Sequence, residues 1–331
     1  MKVYAGVDIG GTNVKAGLVN VENGELLISH CMPTQSNLGP KSVLSRTTKL
    51  LERLIIDSGL NQKEIGGLGI SAPGMIDLAT NTTIFLTNLH GNWKQVHVGD
   101  WMKSTLGLEV SMLNDVRAIT YAEWQFGAGK GVDSLVCFAI GTGVGGGLVV
   151  HNQLVLGFEG TAGEIGHQTV DPNGPLCGCG NHGCLEVYTS GPAIAAEAAR
   201  GVLQGWDTKI SDLIDHDLNK LTPKIVAQAA EMGDEFALEI WQRVGRYLGI
   251  GVGNILTSVG VKKVIIAGGV ANAGDLILDP IRAEIKNRVF LMPVEKVEVV
   301  KGQLGSTAGI VGMAAWRAKQ DVMEKASDPK V

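Results

Sequence analysis

Two stretches of this chain share one plan. VYAGVDIGGTNVKAGLV at positions 3–19 and LVCFAIGTGVGGGLVV at 135–150 each run from an apolar strand through a glycine-rich turn with a threonine into a second apolar strand. The duplication constrains the fold more than any single motif. It predicts two related halves, each opening with a β-hairpin, and a boundary near residues 115–130. No Pro/Ser-rich linker separates the halves, so they are expected to face each other across a cleft.

The pattern between and after the hairpins alternates helix and strand. Asn23-Gly24 signals a tight turn before the strand ELLISH. Val43, Leu44, Leu50, Leu51, Leu54 and Ile55 recur at helical spacing, and Gly59 is the expected stop. GGLGISAPG (66–74) reads as a buried strand ending in a turn. Asn114 and Asp115 precede a helix to Phe126, a strand begins at Leu135, and residues 222–259 are mostly helical in pattern. KKVIIAGGVANAG (262–274) reads as strand, Gly-Gly turn and helix start, and the tail from Thr307 to Ala326 as an amphipathic helix.

The glycine turns point to phosphate. Gly141, Gly143 and Gly146 satisfy G-x-G-x-x-G, but a dinucleotide site needs a helix after that motif. GLVVHNQLVLG follows it here and reads as a strand, which excludes a dehydrogenase of that type. No G-x-x-x-x-G-K-[ST] pattern is present either. A strand–turn–strand can still offer backbone N–H groups to phosphate oxygens, and Thr12 or Thr142 can donate to a terminal phosphate. Gly10, Gly11 and Asn13 complete the first turn. Gly268 and Gly269, after the strand ending at Ala267, form a third close-approach surface suited to an adenine or ribose. Three such turns, each after an apolar strand, predict nucleotide binding.

Between Gly163 and Glu186 the chain reads GEIGHQTVDPNGPLCGCGNHGCLE. His167, Cys177, Cys179 and Cys184 supply the thiolates and imidazole that tetrahedral Zn²⁺ prefers, and a Cys₃His set describes a closed, structural site. His182 is an alternative to His167. Disulfides account for the cluster poorly: Cys177 and Cys179 are too close to bridge, and the total of five cysteines is odd. Glu164 and Glu186 flank the cluster, so a metal would fix the relation of two carboxylates. Cys31 and Cys137 are expected in the core.

Asp115 has two readings. As a helix N-cap it would be structural. As a general base it would accept a proton from a substrate hydroxyl; the helix start keeps it ionised and weakly basic, which phosphoryl transfer tolerates. Asp8, at the end of the first strand beside the phosphate turn, is suited to Mg²⁺, directly or through water.

Composition excludes several classes. The 331 residues are 45% apolar, with net charge −5 and a pI near 5.8, and no Lys/Arg run offers a nucleic-acid face. The N-terminus MKVYAGVDIGG reads as a strand with an internal Asp8 and not as a signal peptide. The longest uncharged stretch, Ser134–Phe158, is broken by six glycines and His151-Asn152-Gln153, so it is no transmembrane helix. Unpaired cysteines fit a reducing compartment. A cytoplasmic protein with neither a nucleic-acid nor a membrane partner is expected.

DIGGTN (8–13), SAPG (71–74), ND (114–115), GTGVGGG (141–147), GEIGH (163–167), CGCGNHGCLE (177–186) and AGGVANAG (267–274) together resemble the ROK sugar kinases along nearly the whole chain. The H-x9-C-x-C-x4-C signature is the most specific of these. The resemblance implies an α/β, two-domain, actin/hexokinase-like fold with ribonuclease-H-like cores and a substrate cleft. It implies a small domain of residues 1–115 plus a returning helix in 307–331, and a large domain of 116–306 holding the zinc site. It implies that Asp115 deprotonates a sugar 6-hydroxyl. Asn114, Glu164, His167 and Glu186 match sugar-hydroxyl ligands, and Gly74 matches a backbone sugar contact. His167 would serve twice, with one nitrogen on zinc and the other toward the sugar. Asn13 stands where the family often carries lysine, and Lys15 lies two residues on. Structural Zn²⁺, Mg²⁺ with ATP and a homodimer or homotetramer are the expected cofactors and assembly.

The leading expectation is an ATP-dependent kinase making a hexose 6-phosphate. Glucose is first, because the ND pair, Glu164 with Glu186, and NLHGNW (88–93) resemble the glucokinase branch. N-acetylmannosamine, N-acetylglucosamine, fructose and allose are the alternatives. A sugar-responsive transcriptional repressor is the alternative from another class. Such repressors add an N-terminal helix-turn-helix, for which the strand at Val3 leaves no room, and the acidic pI agrees. A non-catalytic sugar-binding protein would lack the base or the phosphate turns, and neither is missing.

Overall fold

β1 (Val3–Ile9), β2 (Asn13–Asn20) and β3 (Glu25–Pro33) form an antiparallel meander. After α1 (Pro40–Ser58), β4 (Ile65–Ala72) joins β1 in parallel. The small hairpin β5 (Met75–Asp77) and β6 (Thr82–Phe85), then α2 (Val98–Leu106), lead to β7 (Val110–Asn114) and α3 (Asp115–Phe126). The five-stranded order is β3-β2-β1-β4-β7. This is a computed structural model describing residues 1–86 and 88–327.

A second five-stranded sheet repeats the plan in the order β10-β9-β8-β11-β12. β8 (Leu135–Ile140) and β9 (Val144–Val150) are its opening hairpin, and β10 (Gln153–Leu154) is its edge. The helices α4 (Glu186–Thr189), α5 (Gly191–Leu203), α6 (Lys209–Leu213), α7 (Pro223–Glu231) and α8 (Glu235–Val259) come before β11 (Lys263–Ala267). α9 (Asp275–Arg288) and β12 (Glu298–Lys301) follow, and α10 (Ala308–Ser327) ends the chain. The opening hairpin of each sheet falls where the duplicated sequence plan puts it.

The chain divides into two compact units. Unit 1 comprises Met1–Gly131, Leu154–Ala162 and Leu304–Val331; unit 2 comprises Val132–Gln153 and Gly163–Gln303. The duplicated plan places the division near 115–130 and the family resemblance at 115/116; α3 lies in unit 1, packed on α10. The contact is at backbone range: a Cβ at Gly312 would lie 1.9 Å from the Ala118 carbonyl oxygen. Gly6 and Gly69 let α10 rest on the first sheet in the same way, each 2.0 Å from a carbonyl oxygen of α10 by that measure. Leu154–Ala162 belongs to unit 1, where it packs on β5 and where the buried Arg117 donates from Nε to the Ala162 carbonyl at 2.7 Å. Positions 328–331 of the expected small domain lie outside the described residues.

Each unit has its own core. In unit 1, Ala5, Val7, Ile9, Leu68 and Ile70 of the sheet share a core with Leu44, Leu51 and Leu54 of α1. In unit 2, Phe138, Ile140 and Ile266 share one with Trp241, Leu248 and Val252 of α8. α1 begins with Pro40 after Gly39 and ends at Gly59 (φ 71°), the expected stop.

Two local expectations are corrected. Asn20 pairs with Glu25, so the β2–β3 connection is a four-residue loop and not a two-residue Asn-Gly turn. Only Gly24 in it takes positive φ (79°), and a Cβ there would meet Phe126 at 2.4 Å. Cys137 is buried on β8, but Cys31 is exposed, because β3 is an edge strand with an alternating solvent face.

Candidate functional site

In unit 1 the functional side chains collect at strand ends. The β1–β2 turn closes through Gly10 N–H donating to the Asn13 carbonyl at 3.0 Å, leaving Gly11, Thr12 and Asn13 exposed at its tip. A Cβ at Gly11 would lie 2.8 Å from the Asn88 carbonyl oxygen, which reserves the position for glycine. Asp8 precedes this turn and is half-buried. The Ser71 hydroxyl donates to its Oδ1 at 2.8 Å, and Lys15 faces it across β2. Burial pushes the Asp8 carboxyl above the usual aspartate range, against the pull of Ser71 and Lys15. Lys15 donates from Nζ to the Ser306 carbonyl at 3.1 Å, so its charge is held beside the start of α10.

β4 and β7 pair with Ala72 opposite Asn114, which brings Gly74 beside the start of α3. Asn114 Nδ2 donates to the Gly74 carbonyl at 3.2 Å, and Asn114 Oδ1 accepts from Val116 N–H at 3.0 Å and Arg117 N–H at 3.3 Å. The helix cap is therefore Asn114 and not Asp115. Asp115 is the first helical residue, and its Oδ1 accepts from Val116 N–H at 2.9 Å. Gly74, Asn114 and Asp115 form one constellation at the carboxyl ends of parallel strands, where open α/β sheets place ligand sites.

In unit 2 the β8–β9 turn closes through Gly141 N–H to the Gly143 carbonyl at 2.9 Å, with Thr142 exposed. Glu186, the first residue of α4, accepts from Val144 N–H through Oε2 at 2.9 Å. Its Oε1 lies 3.8 Å from Cys177 Sγ. The carbonyl of Glu164 accepts from His167 N–H at 3.0 Å. Glu164, His167, Glu186 and the second glycine turn thus belong to one neighbourhood.

The ligand atoms of His167, Cys177, Cys179 and Cys184 all lie within 4.8 Å of one another. Cys177 Sγ is 3.6 Å from His167 Nδ1, and Cys179 Sγ is 3.6 Å from Cys184 Sγ. Tetrahedral zinc with ordinary bond lengths requires about 3.6 Å for S···N and about 3.8 Å for S···S, so the donor set fits. Gly183 (φ 62°) makes this loop possible, since a Cβ there would lie 1.6 Å from the Asp171 carbonyl oxygen. Burial pushes the Cys184 thiol up to about 12 and raises Cys177, whereas the backbone at Asn181 lowers Cys179. A bound cation reverses that resistance to ionisation. His182 lies outside the cluster, with Nδ1 3.2 Å from the Gly174 carbonyl oxygen.

Gly268 (φ 84°) follows β11, and a Cβ there would lie 2.3 Å from the Ile140 carbonyl oxygen. Gly269 borders a cavity of 670 Å³ lined also by Lys224, Gln228, Glu231, Trp241 and Asn272. The sequence points to the glycine pair but not to the α7 residues. Lys224 and Gln228 read as ordinary solvent positions of an amphipathic helix, and only the packing of α7 beside residues 269–273 brings them there.

Residues 4–320 match the ROK family. The chain is 32% identical to a glucokinase of Halalkalibacterium halodurans, covering 98% of both chains. It is 34% identical to a glucokinase of Thermotoga maritima, covering 94% of this chain and 95% of that one. A xylose repressor of Bacillus subtilis is 29% identical, with 94% of this chain matching 75% of the repressor. The crystal structure of a ROK family glucokinase from Streptomyces griseus in complex with glucose and AMPPNP superposes with a TM-score of 0.82. It is 32% identical, covering 95% of this chain and 98% of that one. Among the described residues, no helix is long and apolar enough to cross a membrane.

Proposed function

The chain belongs to the ROK family, and from that premise we propose that it is an ATP-dependent kinase converting glucose to glucose 6-phosphate. Its fold is the α/β, actin/hexokinase-like fold of its relatives. One observation carries the assignment of the base: Asn114 caps α3, which relieves Asp115 of that structural role and leaves its carboxylate at the first turn. There Asp115 accepts the proton of the sugar 6-hydroxyl. A weakly basic carboxylate suffices, because the phosphoryl transition state is loose and the proton leaves late.

Asn114, Glu164, His167 and Glu186 hold the ring hydroxyls, and the Gly74 backbone completes the set. His167 Nδ1 faces Cys177, so Nε2 is the nitrogen left for the sugar. Zn²⁺ held by His167, Cys177, Cys179 and Cys184 would contribute rigidity to these ligands, and no part of the transfer passes through it. The turns at Gly10–Asn13 and Thr142–Gly143 cradle the phosphates of ATP, and the cavity beside Gly268 and Gly269 takes its adenosine end. Mg²⁺ accompanying ATP would be held by Asp8 and neutralise phosphate charge. The Ser71 hydroxyl donates to Asp8 Oδ1 and restrains that carboxylate. On the family resemblance alone we add a homodimer or homotetramer, cytoplasmic location and a role in glycolysis.

A coupled assay of ADP formation across a hexose panel tests the reading. Glucose should exceed N-acetylmannosamine, N-acetylglucosamine, fructose and allose in kcat/KM by about tenfold or more. Preference for another sugar of the panel overturns glucose and leaves the kinase standing. No ADP with any hexose overturns both.

A further inference from the structure

Thr34 follows β3 and is fully buried, at 0% exposure. Its hydroxyl donates to the Gly10 carbonyl at 2.6 Å, and its N–H donates to the Thr12 carbonyl at 2.8 Å. One residue therefore holds two carbonyls of the first glycine turn from beneath. Arg46 of α1 fixes Thr34 in turn, with Nη1 on the Thr34 carbonyl at 3.0 Å and Nη2 on the Pro33 carbonyl at 2.7 Å. The N–H groups of Gly11 and Thr12 have no acceptor among the described residues.

A phosphate cradle needs its carbonyls turned away and its N–H groups turned toward the anion, because a carbonyl facing phosphate repels it. Peptide planes are rigid, so tying down the carbonyl of Gly10 sets the direction of the Gly11 N–H. We propose that Thr34 is a positioning residue for nucleotide binding, which fixes the Gly10–Thr12 turn with its N–H groups aimed at phosphate. Arg46 supports it from α1. The position is distinct from the turn's own glycines and threonine, and with no exposed surface it would act on the nucleotide only through the turn. This inference rests on the reading of that turn as a phosphate site.

The test is calorimetric binding of MgATP, and separately of glucose, to the wild type, Thr34→Val, Thr34→Ser and Arg46→Met. Valine keeps the shape of threonine and removes the hydroxyl. It leaves the part-buried Gly10 carbonyl without its hydroxyl donor and should weaken MgATP binding about tenfold, with glucose affinity within about twofold. Serine should restore MgATP affinity to within about twofold, and Arg46→Met should weaken it about threefold if the support runs through Thr34. Unchanged MgATP affinity in Thr34→Val overturns the proposal. So does parallel loss of both ligands without rescue by serine, which would mark a merely structural residue. If Thr34→Val does not fold, unchanged MgATP affinity in Arg46→Met overturns it. Wild-type chain that binds MgATP but phosphorylates no hexose sinks the glucokinase reading and leaves this test intact. A wild type that does not bind MgATP sinks both.

Discussion

Glu186 accepts the N–H of Val144 through Oε2 at 2.9 Å, and a methyl group on Gly143 would lie 2.4 Å from that same oxygen. The second glycine turn and a carboxylate proposed for the sugar are thus in direct contact. On the proposed function, phosphate and sugar recognition in unit 2 would share this backbone segment.

Gly143→Ala must displace the Glu186 carboxylate and break its bond to Val144. We expect KM for glucose to rise about tenfold, the cost of one charge-assisted hydrogen bond, with a smaller change in KM for ATP. Steady-state kinetics with each substrate varied in turn checks this. An effect confined to ATP would place Glu186 away from the sugar.

Asp8 gives a pH signature. Burial raises its pKa in the folded chain above the unfolded value. Its contribution to stability is complete below the unfolded pKa of about 4, and is lost as pH rises through the folded pKa. Asp8→Asn removes that loss. Without magnesium, the variant should melt above wild type at pH 7, and the difference should vanish near or below about pH 4. Equal melting temperatures at pH 7 would contradict the burial account.

The metal cluster predicts about one zinc per chain in the wild type by elemental analysis, and Cys179→Ser should lose most of it. The variant should also melt lower, and glucose affinity should fall with it, because His167 and Glu186 lose their anchor. Zinc-free wild type with full glucose affinity would show that the four residues hold no ion of consequence.

Much of this was legible in the sequence because the signals are local. The glycine turns, the His167–Cys184 spacing and the Asn114-Asp115 pair each lie within a few residues, and the duplicated hairpins announced two sheets. What stayed hidden depends on distant partners. Nothing near Asn114 says that it, and not Asp115, takes the cap, because the choice depends on Gly74 anchoring its amide 40 residues away. Leu154–Ala162 follows the second hairpin in sequence, yet β5 and Arg117 contact it within unit 1. Thr34 lies in an unremarkable CMPTQ stretch, and only the register of Asn13 with Pro33 brings it under the first glycine turn.

Asp115 is proposed above as the base of an ATP-dependent glucose kinase. Turnover with MgATP and equilibrium glucose binding, compared between wild type and Asp115→Ala, test it most directly. In the variant kcat should fall by about a hundredfold to ten-thousandfold, the range of general-base catalysis. Glucose should still bind the variant within about threefold of wild type, because the other hydroxyl ligands remain. Retained turnover in Asp115→Ala would contradict the account.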